Sequence, residues 1–319
     1  MSAVSQILVA YLLDLAMGDP PWLPHPVRFW GRVISWWEKE IMPRISSPGY
    51  QRVWGTVFAL TVLLFAFAAS WGSIYVLAKI NPLLGAILSI YLISTTVTTH
   101  ELGTAAKRVK EALLDGNLGQ ARNKVGEIVA RDTGNLPKRE LVRATVESVA
   151  ENTVDGIIAP IFYAFLGGAP LAMLYRAANT LDSRLGYKNM PYRYWGWASA
   201  RIDDILNYVP ARLSHLIIPA AAFALGKHPT GWLTIRRDGR KHPSPNSGIP
   251  EAGMAGALGV RLGGYNYYQG RREFRPYLGD DNKVLDTFTI KEAVRISYLS
   301  SMLTLALGSL VLIGFSKIA

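Results

Sequence analysis

Two strings, ARDTGNL (130–136) and VESVAENTVDG (146–156), hold the densest group of side chains able to do chemistry. Glu147, Glu151 and Asp155 recur at every fourth residue, so on a helix their carboxylates share one face. Like charges at that spacing repel. Such a stack suits Mg²⁺, which keeps most of its waters and bridges one or two carboxylates to substrate phosphates. The alternative is an acidic face paired to Arg143 or Arg139.

A second group lies in YRAANTLDS (175–183) and GWASARIDDILNYVPAR (196–212). Arg176, Asn179 and Asp182 fall at i, i+3 and i+6, as do Arg201, Asp204 and Asn207. Asp203 and Asp204 are expected to head a helix, where carboxylates favour the dipole, so both also read as caps. Cations and carboxylates together suggest a substrate carrying both charge types. Arg212, costly in lipid, is expected to face a cavity. A third group, DPPWLPHPVRFWGRVI, can bring Asp19, His25, Arg28 and Arg32 together. Trp22, Trp30, Trp36 and Trp37 fit an aromatic belt at a membrane surface. A fourth, HPSPNSGIPEAGMAGALGVRLGG, offers Ser244, Asn246 and Ser247 before a helix starting near Pro250, with Glu251 in its first turn. That is an anion site in principle and an ordinary cap otherwise.

The elements that must position these groups are largely membrane helices. Half of the 319 residues are hydrophobic and only 18% are charged, fewer than the quarter usual for soluble domains. The stretches 54–78, 80–99 and 296–316 are uncharged or nearly so and long enough to span a bilayer. The first two form a helical hairpin with Asn81-Pro82 at its tip, and Lys317 closes the third. Segment 4–17 is apolar around Asp14. Segments 156–175 and 205–225 are interrupted by Pro and Gly and read as kinked spans or as re-entrant segments. The expected fold is therefore all-α, a polytopic integral membrane protein over 1–319 with about four to six membrane segments, some broken or re-entrant.

The surplus of 34 Lys+Arg over 23 Asp+Glu follows topology. Segments 18–53, 101–155 and 226–295 carry five, nine and twelve Lys/Arg, which places all three on the cytoplasmic side. Loop 179–201 fits there only if its flanking segments dip in and return. Nucleic acid then has no claim on the charge. Residues 101–155 form a cytoplasmic helical insert, with breaks at Gly116-Asn117 and a helix start at Pro137. Residues 226–295 read as a Gly/Pro-rich functional loop region. The chain has no Cys, which excludes disulfides, thiolate metal sites and a cysteine nucleophile. It has no P-loop, no dinucleotide fingerprint and no serine elbow, and its five His are dispersed, so a His metal site is not expected.

The strings GDPPWLPHPVRFWGRVI, ARDTGNL, VESVAENTVDGIIAPIFYAFLGGAPLAMLYRAANTLDSRLGYKN, YRYWGWASARIDDILNYVPAR and PSPNSGIPEAGMAGALGVRLGG, in this order from about Leu12 to Gly270, closely resemble the CobD/CbiB family of cobalamin biosynthesis. The resemblance implies a multi-pass enzyme of the inner membrane, active on its cytoplasmic face. It implies ATP- and Mg²⁺-dependent joining of adenosylcobyric acid to (R)-1-aminopropan-2-ol or its O-phosphate. Membrane lipid and other corrinoid-assembly enzymes are the further partners expected.

Amide formation from a carboxylate needs activation, cations for phosphate and a base for the amine proton. Glu147, Glu151, Asp155, Asp182 and Asp204 are the candidate catalytic carboxylates, with Glu151, Asp155 and Asp182 as Mg²⁺ ligands. His25, Arg28, Arg176, Asn179, Arg201, Asn207, Arg212, Ser244, Asn246, Ser247 and Glu251 are the candidate substrate and phosphate contacts. The competing classes are a transporter of an anionic or corrinoid substrate, which broken helices also fit, and a membrane scaffold that docks soluble enzymes.

Overall fold

The computed structural model describes residues 1–316 apart from Pro21 and His228, with the side chains of Phe315 and Ser316 excepted; Lys317, expected to close the last span, lies outside the described residues. In chain order the helices are α1 (Ala3–Met17), α2 (Pro26–Glu40), α3 (Pro48–Ile80), α4 (Pro82–Ser94), α5 (Thr99–Leu114), α6 (Leu118–Gly126) and α7 (Lys138–Thr153). A π-helical turn (Val154–Ile158) leads to α8 (Ala159–Leu185), α9 (Tyr192–Trp195), α10 (Trp197–Leu206), α11 (Tyr208–Ala224), α12 (Gly231–Asp238) and α13 (Gly248–Leu258). Strands β1 (Leu262–Tyr268) and β2 (Arg271–Leu278) precede α14 (Thr287–Ser316).

Helix dominates, as the hydropathy pattern demands, and the one sheet among the described residues is the β1–β2 hairpin. Four helical stretches are long and apolar enough to cross a membrane: Pro48–Ile80, Pro82–Leu114, Lys138–Leu185 and Thr287–Gly314. Ala3–Met17 is apolar but shorter. These agree with a polytopic membrane protein. The chain divides into two compact units.

The first unit comprises residues 1–98, 159–207 and the chain from Leu307. Pro48 and Pro82 sit in the first turns of α3 and α4, where the missing N–H costs nothing. Asn81 caps α4 by accepting from the Leu83 amide, so the expected Asn81-Pro82 tip is where the helical hairpin turns. Phe58, Val62 and Leu63 of α3 are buried, while Leu60, Leu64 and Phe65 are exposed and apolar, as a lipid-facing side requires. At Gly168 the backbone adopts φ 65° and ψ −158°, a region essentially reserved for glycine, and there α8 is broken. The aromatic belt is only half present. Trp22 and Trp36 are exposed, but Trp30 is buried and Trp37 stacks on Phe58 at 4.1 Å between ring centres.

The second unit comprises residues 99–158 and 208–306. Ala106, Val109, Ala112 and Leu113 of α5 join Ala121 and Val125 of α6 and Leu141, Val142, Val146 and Val149 of α7 in one core. α7 begins at Lys138 with Pro137 at its N-cap, one position before the first helical position expected for it. The expected 226–295 loop is instead structured. The helix expected to start near Pro250 is α13; every residue of it except Ile249 is buried, so GIPEAGMAGAL carries no polar face. The hairpin was missed because β1 is glycine-rich. Its turn places Gln269 and Gly270 at positive φ, as tight hairpins require, and the Asp132 carboxylate accepts from both turn amides.

Candidate functional site

In the second unit, α7, the 240–247 loop, α13 and β2 bring a cluster of ionisable groups together. Ser244 Oγ accepts from the amides of Asn246 at 3.3 Å and Ser247 at 3.2 Å, folding the loop onto the start of α13. Ser247 occupies the N-cap position of α13, yet its hydroxyl does not cap the helix. It donates instead to Glu151 Oε1 at 2.9 Å. A residue type that suits a cap is thus diverted to a carboxylate. Arg212, on α11, donates to Asn246 Oδ1 at 2.6 Å and lies 3.6 Å from the centre of the Tyr208 ring. Arg212, Ser244, Asn246 and Ser247 therefore form one continuous polar edge.

Beneath this edge lies Glu251, 2% exposed. Burial, with Glu147 and Glu151 adding, holds its carboxyl well above the usual carboxylate range. His242 Nε2 lies 3.6 Å from Glu251 Oε1. The Ser244 amide donates to His242 Nδ1 at 3.0 Å, which leaves the neutral ring's proton on Nε2. Burial, and then Arg275, lower the His242 pKa. Arg275 Nη1 is 3.4 Å from His242 Nε2. Neither His242 nor Arg275 was expected, because a tautomer fixed by a loop amide and a strand register have no signature in residue spacing.

The expected stack of three carboxylates does not form. Glu147 is buried and committed to Arg131, to Arg143 Nη1 at 2.9 Å and to the Gly263 amide at 2.8 Å. Arg131 and Arg143 also share Asn266 Oδ1. Pairing to Arg143 is the alternative reading of that face, but here it is buried and pins β1 to α7. The π-helical turn, with its wider spacing, takes Asp155 out of α-helical register with Glu151. Among the described residues no three of His, Asp and Glu converge in a metal-holding group.

In the first unit, Asn179 donates to Asp203 Oδ1 at 3.4 Å, Asn207 donates to Asp203 Oδ2 at 2.9 Å, and Tyr175 donates to Asn207 Oδ1 at 2.9 Å. Arg176 reaches Asn179 Oδ1 at 3.4 Å. Arg176, Asn179 and Asn207 are thus brought together, but around Asp203 rather than Asp204. Asp203 and Asp204 do not head a helix; they lie in the second half of α10, where the dipole disfavours them. Asp182 lies near the end of α8 and Arg201 is exposed on α10. His25 Nε2 is 2.9 Å from Asp19 Oδ1, and Arg28 donates to the Asp19 carbonyl at 2.9 Å, so this pair holds the entry to α2.

Comparison with known proteins identifies the family. A family model described as CobD/Cbib protein matches residues 7–297. "Cobalamin biosynthesis protein CobD" of Geobacter metallireducens is 45% identical over 304 residues, 95% of each chain. "Cobalamin biosynthesis protein CobD" of Citrobacter koseri is 44% identical over 302 residues, 94% of each. "Cobalamin biosynthesis protein CbiB" of Salmonella typhi is 41% identical over 314 residues, 98% of each. No solved structure matches. A family match over nearly the whole length, with relatives above 40% identity across both chains, leaves one assignment: the chain belongs to the CobD/Cbib family.

Proposed function

We propose that the chain is a membrane enzyme of cobalamin biosynthesis that joins the carboxylate of adenosylcobyric acid to (R)-1-aminopropan-2-ol or its O-phosphate, with ATP supplying the activation. The names of the relatives support the pathway. The observation that carries the chemistry is the Ser247 hydroxyl turned onto half-buried Glu151, beside the Arg212 and Asn246 edge.

A substrate carboxylate oxygen attacks the γ-phosphorus of ATP, and ADP leaves with the bridging electron pair. The amine nitrogen then attacks the acyl carbon of the resulting acyl phosphate, the carbon–oxygen bond to phosphate breaks, and the amide remains. The ammonium substrate loses two protons on the way: one leaves with inorganic phosphate and one passes through Glu151 to solvent. Arg212, Ser244, Asn246 and Ser247 hold phosphate, a role suited to a fork donor, hydroxyls and loop amides. Glu251 and His242 form the neutral floor that keeps a further negative charge out of the site.

In the first unit, Arg28, Arg176 and Arg201, with His25, Asn179 and Asn207, are assigned to substrate carboxylate and phosphate, and the carboxylates of Asp182 and Asp204 to the substrate amine. Mg²⁺ accompanies the nucleotide. Among the described residues none form a protein-built metal cage, so no step is routed through the ion. The face is cytoplasmic, where ATP is available and where the basic segments belong.

The test is Glu151→Gln in the full-length protein. Loss of at least about 100-fold in amide formation, with unchanged thermal stability, is expected for a lost base. Full activity with unchanged Mg²⁺ dependence would remove Glu151 from the chemistry.

A further inference from the structure

A cavity of about 750 Å³ opens in the second unit between the start of α7 and the hairpin, lined by Arg139, Arg143, Arg261, Tyr265, Tyr267 and Tyr277. None of its aromatic rings belongs to the cluster around Glu151. The three tyrosines are 48%, 43% and 42% exposed, so each keeps ring surface open to solvent, although Arg272 lies 3.6 Å from the centre of the Tyr265 ring and Phe274 adjoins Tyr265 and Tyr277. Arg261 lies 4.6 Å from the centre of the Tyr277 ring, presenting a guanidinium plane alongside an aromatic one.

The acidic members of the lining are already used. Asp132 accepts from the amides of Gln269 and Gly270, and Glu140 accepts from Arg143. Arg139 and Arg261 share the single carboxylate of Asp281, each at 3.0 Å, which leaves one guanidinium charge of that pair uncompensated. Arg143 reaches from the cavity wall to Glu147 and Asn266, so the cavity abuts the buried network that anchors β1.

Flat exposed phenol rings stack on flat heteroaromatic ligands, and guanidinium forks hold phosphate. A volume of this size matches a ligand of a few hundred daltons. A whole corrinoid, with its macrocycle and amide arms, is too large for it. We propose that this cavity binds a purine nucleoside polyphosphate, the ring against Tyr265, Tyr267 and Tyr277 and the phosphates against Arg139 and Arg261. The site supplies what the absence of a P-loop leaves open in this chain. The ligase reading gives the nucleotide its purpose, but binding is measured without chemistry, so the two ideas fail separately.

The experiment uses the detergent-purified full chain and a fluorescent N-methylanthraniloyl ATP, with AMP-PNP, adenosine, inorganic triphosphate and adenosylcobyric acid as competitors. AMP-PNP should displace the probe, while adenosine and triphosphate should compete at least about tenfold more weakly, since each offers half of the contacts. Arg139→Ala with Arg261→Ala should weaken the probe by at least about tenfold at unchanged melting temperature. Because the sequence has no Cys, Tyr267→Cys gives a second reading, protection of the cavity wall by bound nucleotide, with the other two rings and both arginines still in place. AMP-PNP should slow its alkylation by at least about tenfold. Undiminished binding in the double-Arg variant together with unprotected Tyr267→Cys would overturn the site. Displacement by adenosylcobyric acid and not by AMP-PNP would overturn the nucleotide as its occupant. Bound nucleotide without amide product would instead count against the ligase.

Discussion

Glu251 is buried beside two other carboxyl groups, Glu147 and Glu151, and is faced by Arg275, Arg131 and His242. A carboxyl whose pKa is raised on folding keeps a proton that the unfolded chain has lost. The folded state then binds more protons, so stability falls as pH rises from the unfolded value of about 4.3 towards the raised one. Glu251→Gln keeps the shape and the neutral charge. It should melt higher than the parent above about pH 5, with a gap that widens towards neutrality, and should retain amide formation within about threefold. A flat difference between pH 5 and 8 would show that Glu251 ionises freely. Ser247→Ala removes the hydrogen bond to Glu151 but no capping bond, so activity should fall about tenfold with melting unchanged. Ser244, Asn246, Ser247 and Glu251 were legible because hydroxyls, amides and an acid before a helix announce an anion or cap site. The partner that tells these apart, Glu151, lies 96 residues away, and only the fold chooses it. Glu147 read as a catalytic candidate with pairing to Arg143 as the alternative; its second partner, Arg131, and the burial of all three have no signature in residue spacing.

At the level of elements, the long helices followed from uncharged length alone, and the kink at Gly167-Gly168 from composition. Of the region that follows, the start of α13 near Pro250 was legible, but α12 and the hairpin were not, because β1 is glycine-rich and lacks alternation. Asp238 at the end of α12 shows how that region is tied. Its carboxylate accepts from Arg237 at 2.8 Å, Lys241 at 2.6 Å and the Gly279 amide at 2.9 Å, joining α12 to the end of β2. Burial pushes its pKa up, but these donors outweigh burial and bring it down to about 2. A depressed carboxylate contributes stability above its unfolded pKa, and that stability is lost as pH falls from about 4 through 2. Asp238→Asn should therefore cost about 2 kcal/mol at pH 7, read from detergent melts. It should also remove the part of the acid loss that lies between pH 4 and 2. An unchanged acid limb would mean that α12 is not held through this carboxylate.

For the molecule as a whole, hydropathy gave the membrane class and motif order gave the family, whereas the division into two units had no boundary in composition. Both units draw on segments that return from far along the chain, such as 159–207 and 208–306, and no Pro- or Ser-rich linker marks the change. Sidedness rests on the lysines and arginines. Lys188 is exposed in the 179–201 segment. In the Cys-free chain, Lys188→Cys should react in intact cells only with a membrane-permeant maleimide. Labelling by an impermeant reagent would put that segment outside and make the flanking helices ordinary spans.

The central claim is amide synthesis, and the most direct measurement incubates the detergent-purified chain with adenosylcobyric acid, aminopropanol phosphate, ATP and Mg²⁺. Product mass and ADP are followed together. The account predicts the amide product and ADP in equal amounts, with no product when ATP is omitted. Corrinoid that crosses proteoliposome membranes unchanged, with no amide and no ADP, would contradict it and identify a transporter.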